Sequence, residues 1–283
     1  MVTHHLLLGH ARAQQAIKQG GGSQHQVGLV CCLYPIHPYQ GMNEPNREAN
    51  AVLRVNLGEA GLQQSNVDDP ESMALAVHMA DQKINRRWLD PLFLGKYPEG
   101  YWEQSDYQPL ILPGDMEEIG VRPDFIGVNY YTRIIVRPVY LDGKLSFSAV
   151  SASELGRPFT TMGWEIYPEG LRQLLNILDH DYNHPPIFIT ENGMAFDDPV
   201  SRGGVVHDGY RIDFLQAHFE QAAASLADGV DLRGYFVWTL MDNFEWEAGW
   251  GQRFGLIRVD NDTLKRTIKD SGFWYRDFIA DQR

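Results

Sequence analysis

Cysteine is scarce in this chain, whose 283 residues include only Cys31 and Cys32, adjacent in an apolar run. Neighbouring side chains on a strand point to opposite faces, so we expect no disulfide between them. Two buried, reduced thiols are typical of a cytoplasmic protein, and this is the location we predict. Neither cysteine has a partner at metal-ligand spacing, and we expect neither a metal ion nor another cofactor.

Positive charge and long apolar runs are also in short supply. The formal net charge is −13, whereas nucleic-acid-binding proteins need a basic face, so we expect no nucleic-acid partner. No run is long and apolar enough to predict a membrane-spanning helix, and residues 1–20 lack the basic start of a signal peptide. Three clustered histidines, His4, His5 and His10, lack acidic or cysteine partners at ligand spacing and are interpreted as a helix surface.

Apolar periodicity predicts helices and strands that alternate along the chain. The helical patterns cover 3–18, 71–92, 168–182, 211–229 and 269–280. Short apolar runs typical of buried strands cover 27–34, 125–131, 186–190 and 232–240. The alternation predicts an α/β fold of about four parallel βα units, in a barrel or an open doubly wound sheet. A complete (β/α)8 barrel has twice as many strands.

Polar residues suited to chemistry cluster where the predicted strands end. Glu191 follows one strand directly, and Asp242 and Glu245 follow the last one. In α/β folds, ligands bind at the carboxyl ends of the strands. Glu191 alone is equally well explained as a loop glutamate or a helix cap. With three tryptophans, however, the two glutamates form a polar and aromatic set suited to a sugar. These tryptophans are Trp164, Trp238 and Trp246.

Longer sequence blocks contain these residues and follow one another along the chain. They are FIGVNYYT, TMGWEIYPEGL, FITENG, GYFVWTLMDNFEW, WGQRFGL and VDNDTLKRTIKDSGFWY. In this order they resemble the signature blocks of glycoside hydrolase family 1, and LDPLFLGKYPEG resembles a further family segment. The resemblance covers essentially the whole chain, and we interpret 1–283 as a single domain of this family.

The resemblance implies a retaining β-glycosidase of the β-glucosidase type, acting on β-glucosides or oligosaccharides through a covalent glycosyl-enzyme. Glu191 would be the nucleophile, Tyr131 would hydrogen-bond it, and Asn129 would orient it or the sugar. The residues implied to bind substrate are Trp238 beneath the glycone ring, Phe254 beside it, Trp164 on the leaving-group side, and Glu245 with Trp246 on the sugar hydroxyls. Because the Glu245 carboxylate would repel phosphate, the expected substrate is unphosphorylated. The choice among glucose, galactose and fucose stays open.

Part of the family pattern is missing from the chain. The family's acid/base glutamate lies in an Asn-Glu-Pro block that ends the fourth barrel strand, just ahead of the helix resembling residues 3–18. We therefore expect an N-terminally truncated domain, with family strands 5–8 and an insertion loop at 37–70. Asn43-Glu44-Pro45 spells the same tripeptide. No apolar strand leads into it, however, so we interpret Glu44 as a loop carboxylate.

The sequence leaves three interpretations open. The chain is part of a truncated or split β-glucosidase that needs a complementing N-terminal half or self-association, because half a barrel exposes strand edges that invite pairing. Alternatively, it is a non-catalytic module that binds sugar. The third interpretation is an inactive fragment. The aglycone and the oligomeric state are not predicted.

Overall fold

The fold is described from a computed structural model covering residues 2–22, 24–40, 69–102, 110–201 and 203–281. Glu44, its tripeptide and most of the predicted insertion at 37–70 lie outside these residues, so those interpretations stay predictions. None of the helices in the described ranges is long and apolar enough to cross a membrane. The cytoplasmic location likewise stays a prediction.

A parallel sheet of four strands forms the centre of the fold. With strands numbered along the chain, these are β1 (Gly28–Cys32), β3 (Phe125–Asn129), β6 (Ile187–Asn192) and β7 (Leu232–Val237). Their order across the sheet is also their order along the chain, and every pairing is parallel. An open doubly wound sheet reverses its order at a switch point, whereas a barrel does not. The sheet is therefore a barrel segment, as predicted from the sequence.

One helix precedes the first of these strands, and the others connect the strands or follow the last of them. The helices are α1 (Val2–Gly21), α2 (Pro70–Asp81), α3 (Arg87–Phe93), α4 (Asp115–Ile119), α5 (Glu169–Asp181), α6 (Gly209–Asp228) and α7 (Asp270–Asp281). A π-helical turn at Gln82–Arg86 joins α2 to α3. All five predicted helices are confirmed; α4 was not predicted. Helix α2 begins as its sequence dictates, because Asp69 accepts a hydrogen bond from the Ser72 backbone and Pro70 occupies the first turn.

The helices cover one face of the sheet, which we call the outer face. Strand residues on this face include Ile126, Val128 and Ile189, each 0% exposed. They pack in one cluster with leucines of α5 such as Leu171 and Leu175. Burying each such side chain contributes roughly 1.5–3 kcal/mol. The main core of the described fold therefore lies between the sheet and its helices.

Side chains at alternate strand positions point to the opposite, inner face. Val30 is 49% exposed there and Phe236 is 57% exposed. The edge strands β1 and β7 each pair with one neighbour within the described ranges. This exposure follows from the period of two along a strand, which buries one set of side chains and presents the other.

Two smaller sheets were not predicted from the sequence. One contains β2 (Ile36–Pro38), β4 (Ile134–Leu141) and β5 (Lys144–Val150), and the other contains β8 (Ile257–Val259) and β9 (Arg266–Ile268). Strands β4 and β5 form a hairpin whose tight turn is Asp142-Gly143, with φ of 50° and 74°. Asp-Gly between two strand-like runs is a strong hairpin signal, so this element could have been predicted.

Two interpretations of single residues were wrong. His4 does not lie on a helix surface: it is 0% exposed and donates a hydrogen bond to Asp115, 3.1 Å away. Its partner comes from a distant part of the chain, which local spacing cannot reveal. Cys31 is buried as expected, but Cys32 is exposed, because it points to the inner face.

Candidate active site

Strand pairing brings the predicted catalytic residues to one edge of the sheet. Asn129, the last residue of β3, pairs with Cys32 on one side and with Glu191 on the other. The register shifts by one residue at this point, so Thr190 is an extra residue in β6. Such a bulge changes the direction of the side chains that follow it. Thr190 donates a 2.7 Å hydrogen bond to Asn129, which ties the two strand ends together.

Glu191 receives a hydrogen bond from a buried tyrosine. The Tyr131 hydroxyl donates to Oε2 of Glu191 over 2.6 Å, a short distance typical of a charge-assisted hydrogen bond. Burial, together with this hydrogen bond, raises the pKa of Tyr131 far above its ordinary value of 10.0. The phenol therefore stays protonated at neutral pH and fixes one carboxylate oxygen of the half-buried Glu191.

The residues after Glu191 fasten β6 to both neighbouring strands. Asn192 donates to the Tyr130 carbonyl over 2.8 Å and accepts a hydrogen bond from Tyr235. Its own carbonyl accepts from the Trp238 backbone at 2.9 Å. Gly193 lies so close to Trp238 that an added Cβ would be 1.8 Å from the carbonyl oxygen. Only glycine fits at this position.

An aromatic wall stands beside the Glu191 carboxylate. The Tyr131 ring lies 5.1 Å from Trp164 and 6.1 Å from Phe254, measured between centroids. Trp238 packs against the same cluster. Ligand pockets characteristically combine aromatic walls with a few placed polar groups, and this edge of the sheet has both.

A second carboxylate, Glu245, faces the same region. Burial raises its pKa above the ordinary 4.5, and the negative charge of Glu191 raises it further. A hydrogen bond with the Trp238 side chain acts in the opposite direction. The contact with Trp238 places Glu245 beside the aromatic wall that flanks Glu191. The next residue, Trp246, is 83% exposed and has a φ of 40°, which is uncommon for a bulky side chain.

The structure thus brings together seven of the eight predicted site residues, while the eighth, Trp246, lies exposed at the rim. Asp242, which the sequence analysis grouped with them, is buried and bonded to the backbone of Gly255 instead. Cys32, whose thiol contacts the Tyr34 hydroxyl at 2.9 Å, was not predicted to lie at the site. Although the side chain is exposed on the open inner face, the protein around the thiol partly desolvates it and raises its pKa; the contact with Tyr34 acts in the opposite direction, and the charge of Glu191 raises the pKa further. The position of Cys32 two residues before the end of the predicted strand 27–34 was an available signal.

An ion cluster at Glu165, the residue after Trp164, was not predicted either. Arg133 donates two hydrogen bonds of 2.9 Å to Glu165, and Arg157 donates a third. The Arg133 guanidinium also lies 3.6 Å from the centroid of the Tyr167 ring. This paired, stacked arrangement is one that arginine makes and lysine does not. It holds the backbone that carries Trp164.

Comparisons with known proteins agree on one family for this chain. The sequence model of Glycosyl hydrolase family 1 matches residues 59–283. Beta-glucosidase A of Thermotoga maritima is 47% identical over 282 residues, which is 98% of this chain and 55% of that protein. The bifunctional beta-D-glucosidase/beta-D-fucosidase of Bifidobacterium breve is 37% identical over 92% of this chain and 61% of its own length.

Solved structures show the same likeness. The Thermotoga maritima beta-glucosidase in complex with glucoimidazole superposes with a TM-score of 0.80 at 38% identity, covering 98% of this chain and 56% of that one. A beta-glucosidase from Exiguobacterium marinum gives the same TM-score at 33% identity. The chain spans about half the length of the relatives that it matches.

Proposed function

The chain belongs to glycosyl hydrolase family 1, and from this premise we propose that it carries the nucleophile half of a retaining β-glucosidase active site. The observation that carries the proposal is the 2.6 Å hydrogen bond from Tyr131 to Glu191 at the carboxyl end of β6. It leaves one carboxylate oxygen held and the other free to react. The aromatic wall beside it supplies a surface for a sugar ring.

In the proposed first step, a Glu191 carboxylate oxygen attacks the anomeric carbon of a β-glucoside. The glycosidic C–O bond breaks, a catalytic acid protonates the departing oxygen, and a glycosyl ester on Glu191 remains. In the second step, water attacks the same carbon while the conjugate base takes its proton, and the ester is cleaved. Retaining enzymes place the two carboxyl groups about 5–5.5 Å apart.

The neighbouring residues account for substrate choice. Glu245 would accept hydrogen bonds from sugar hydroxyls, and Trp246 would donate one. A carboxylate beside Glu191 repels a phosphorylated sugar, since two like charges at short range are unfavourable. We therefore propose an unphosphorylated β-glucoside or oligosaccharide as substrate, with Trp238 beneath its glycone ring and Trp164 toward the leaving group.

The proton donor is assigned to a complementing segment that closes the barrel. Three observations support such a segment: the unpaired outer edges of β1 and β7 in the described structure, the exposed inner face, and relatives of nearly twice the length. Without the general acid, hydrolysis should be slower by on the order of 10²–10⁴ for poor leaving groups. Activated aryl glucosides, which need little protonation, should be affected least.

The test compares hydrolysis of an activated aryl β-glucoside and an alkyl β-glucoside by the chain, alone and co-expressed with the N-terminal half of the Thermotoga maritima relative. We expect the alkyl substrate to gain far more from complementation than the aryl one. Glu191→Ala should abolish both activities, whereas Glu220→Ala, an exposed glutamate on α6, should leave them unchanged. Sugar binding without hydrolysis of either substrate would instead support a binding module.

A further inference from the structure

A buried cluster of six alternating charges lies behind the candidate site. Its three acids and three bases are Asp198, Asp208, Asp242, Arg211, Arg253 and Lys269. All of their side chains are almost fully buried except that of Arg253, which is 18% exposed. Charges at this depth are tolerated when they are paired and hydrogen-bonded, and each of the six makes at least one ion pair within the cluster.

Arg211, near the start of α6, holds the chain that leaves the nucleophile strand. Its guanidinium donates to both Asp198 oxygens over 2.9 Å and to Asp208 over 2.8 Å. It also donates to the backbone carbonyl of Met194, three residues beyond Glu191.

Asp242 organises the other segment, which carries the second carboxylate. It accepts hydrogen bonds from the backbone of Gly255 at 2.9 Å and of Val259 at 3.3 Å, and from Arg253 at 3.0 Å. Glu245 lies three residues after Asp242, and Phe254 directly follows Arg253. Asp242 therefore fixes a loop that presents two candidate sugar-binding residues.

Lys269, just before α7, joins the two halves of the cluster. Its ammonium group donates to Asp198 and, over 3.1 Å, to Asp242. The cost of desolvation and the charge of Arg211 lower the pKa of Lys269, while both aspartates act to raise it. The lysine is 0% exposed, so its two carboxylate partners replace water around the charge.

The joined segments carry two carboxylates that repel each other, since the charge of Glu191 contributes to the raised pKa of Glu245. We propose that Lys269 is a positioning residue, which holds the loop bearing Glu245 and Phe254 in register with the strand bearing Glu191. The inference deepens the proposed function and rests on it for the role of these residues toward sugar. Lys269 itself need not contact the substrate.

The first test is amide hydrogen exchange in Lys269→Met, which keeps the length of the side chain and removes its charge. The reporters are the Gly255 and Val259 amides, which donate to Asp242, and the reference is the Ile126 amide in the core sheet. We expect the reporters to exchange about tenfold faster or more, with the reference nearly unchanged. Lys269→Arg, which keeps the charge, should return the exchange rates of the reporter amides to those of the unaltered chain. Arg172→Met, which breaks an exposed 2.6 Å pair between α5 and α6, is the matched control and should not accelerate them.

Unchanged exchange rates at the reporter amides would overturn the proposal. Equal acceleration of the reporter and reference amides would also overturn it, because Lys269 would then stabilise the fold only in general. If Lys269→Met does not fold, Asp198→Asn provides the test at the other carboxylate partner of the lysine, which bonds neither reporter amide. Labelling with a 2-deoxy-2-fluoro-β-glucoside adds a functional reading: its half-saturating concentration should rise about tenfold in Lys269→Met and recover in Lys269→Arg. If the unaltered chain is not labelled even with its complementing half present, the proposed function fails, but hydrogen exchange still decides the positioning role.

Discussion

The outer and inner faces of the central sheet come from alternating residues of the same strands, yet they differ in nearly every physical respect. The outer face is apolar and covered by helices, with Val128 and Ile189 both 0% exposed. The inner face is open, with Val30 at 49% exposure, and ends at the polar edge that holds Glu191. One face therefore holds the fold together, and the rim of the other carries the chemistry. Stability and reactivity should accordingly respond to different mutations.

The largest stability difference should separate two aliphatic residues on opposite faces. Ile189→Ala removes packed methyl groups from the outer face and should cost about 2–5 kcal/mol of unfolding free energy. Val30→Ala acts on a half-exposed side chain and should cost less than about 1 kcal/mol. Urea unfolding of the two variants measures both values. Equal losses would show that the inner face is packed as tightly as the outer one.

Acid should lower the unfolding free energy through His218, which lies on the helix-covered side of the sheet. This histidine of α6 is 0% exposed, and burial lowers its pKa from 6.5 to about 4. Because the folded state binds the proton less tightly, the stability contributed by neutral His218 is complete above pH 6.5 and is lost as the pH falls toward 4. The loss is on the order of 3 kcal/mol. His218→Phe should flatten stability over this pH range in thermal unfolding, and an unchanged slope would contradict the assignment.

Mutations of two neighbouring tyrosines on opposite faces should affect stability and reactivity separately. Tyr131→Phe removes the hydrogen bond to Glu191, and we expect labelling by a fluoroglucoside to slow on the order of 10- to 100-fold. Tyr130→Phe removes an outer-face hydrogen bond to the Tyr167 carbonyl and should lower stability without slowing labelling. Time-resolved intact mass and thermal unfolding measure the two effects. Equal slowing in both variants would remove the special role of Tyr131.

The smallest effect should be a gain in stability at the rim. The raised pKa of Glu245 means that the folded chain binds this proton more tightly than the unfolded chain. Stability from this group is therefore present below the ordinary pKa of 4.5 and is lost as the pH rises through the folded value. Glu245→Gln should stabilise the chain at pH 7, by less than about 1 kcal/mol because solvent screens a partly exposed charge. The gain should vanish near pH 4, and Glu220→Gln should show none.

Sequence predicts what is local or periodic. Four buried strands and the helices between them follow from runs such as those at 125–131 and 186–190. The edge of the sheet that collects polar residues follows from the rule that parallel strands end together. Glu191 was located in this way, and the family blocks identified its neighbours.

What sequence reasoning missed depends on distant partners. The buried state of His4 requires Asp115, and Asp242 turned inward because Lys269 and Arg253 neutralise it. Neither pairing has a spacing that a pattern could reveal. The exposure of Cys32 depends on what covers the inner face. Tertiary pairing of charges, rather than secondary structure, was the information lacking.

The most direct test of the central claim, that the rim of this sheet holds a working nucleophile, is intact-mass measurement after incubation with an activated 2-deoxy-2-fluoro-β-glucoside. Peptide mapping then locates any modification. We predict the mass of one sugar added at Glu191, absent in Glu191→Ala and retained in Glu220→Ala. A folded chain that gains no mass even with its complementing half present, or one modified at another residue, would contradict the assignment of Glu191.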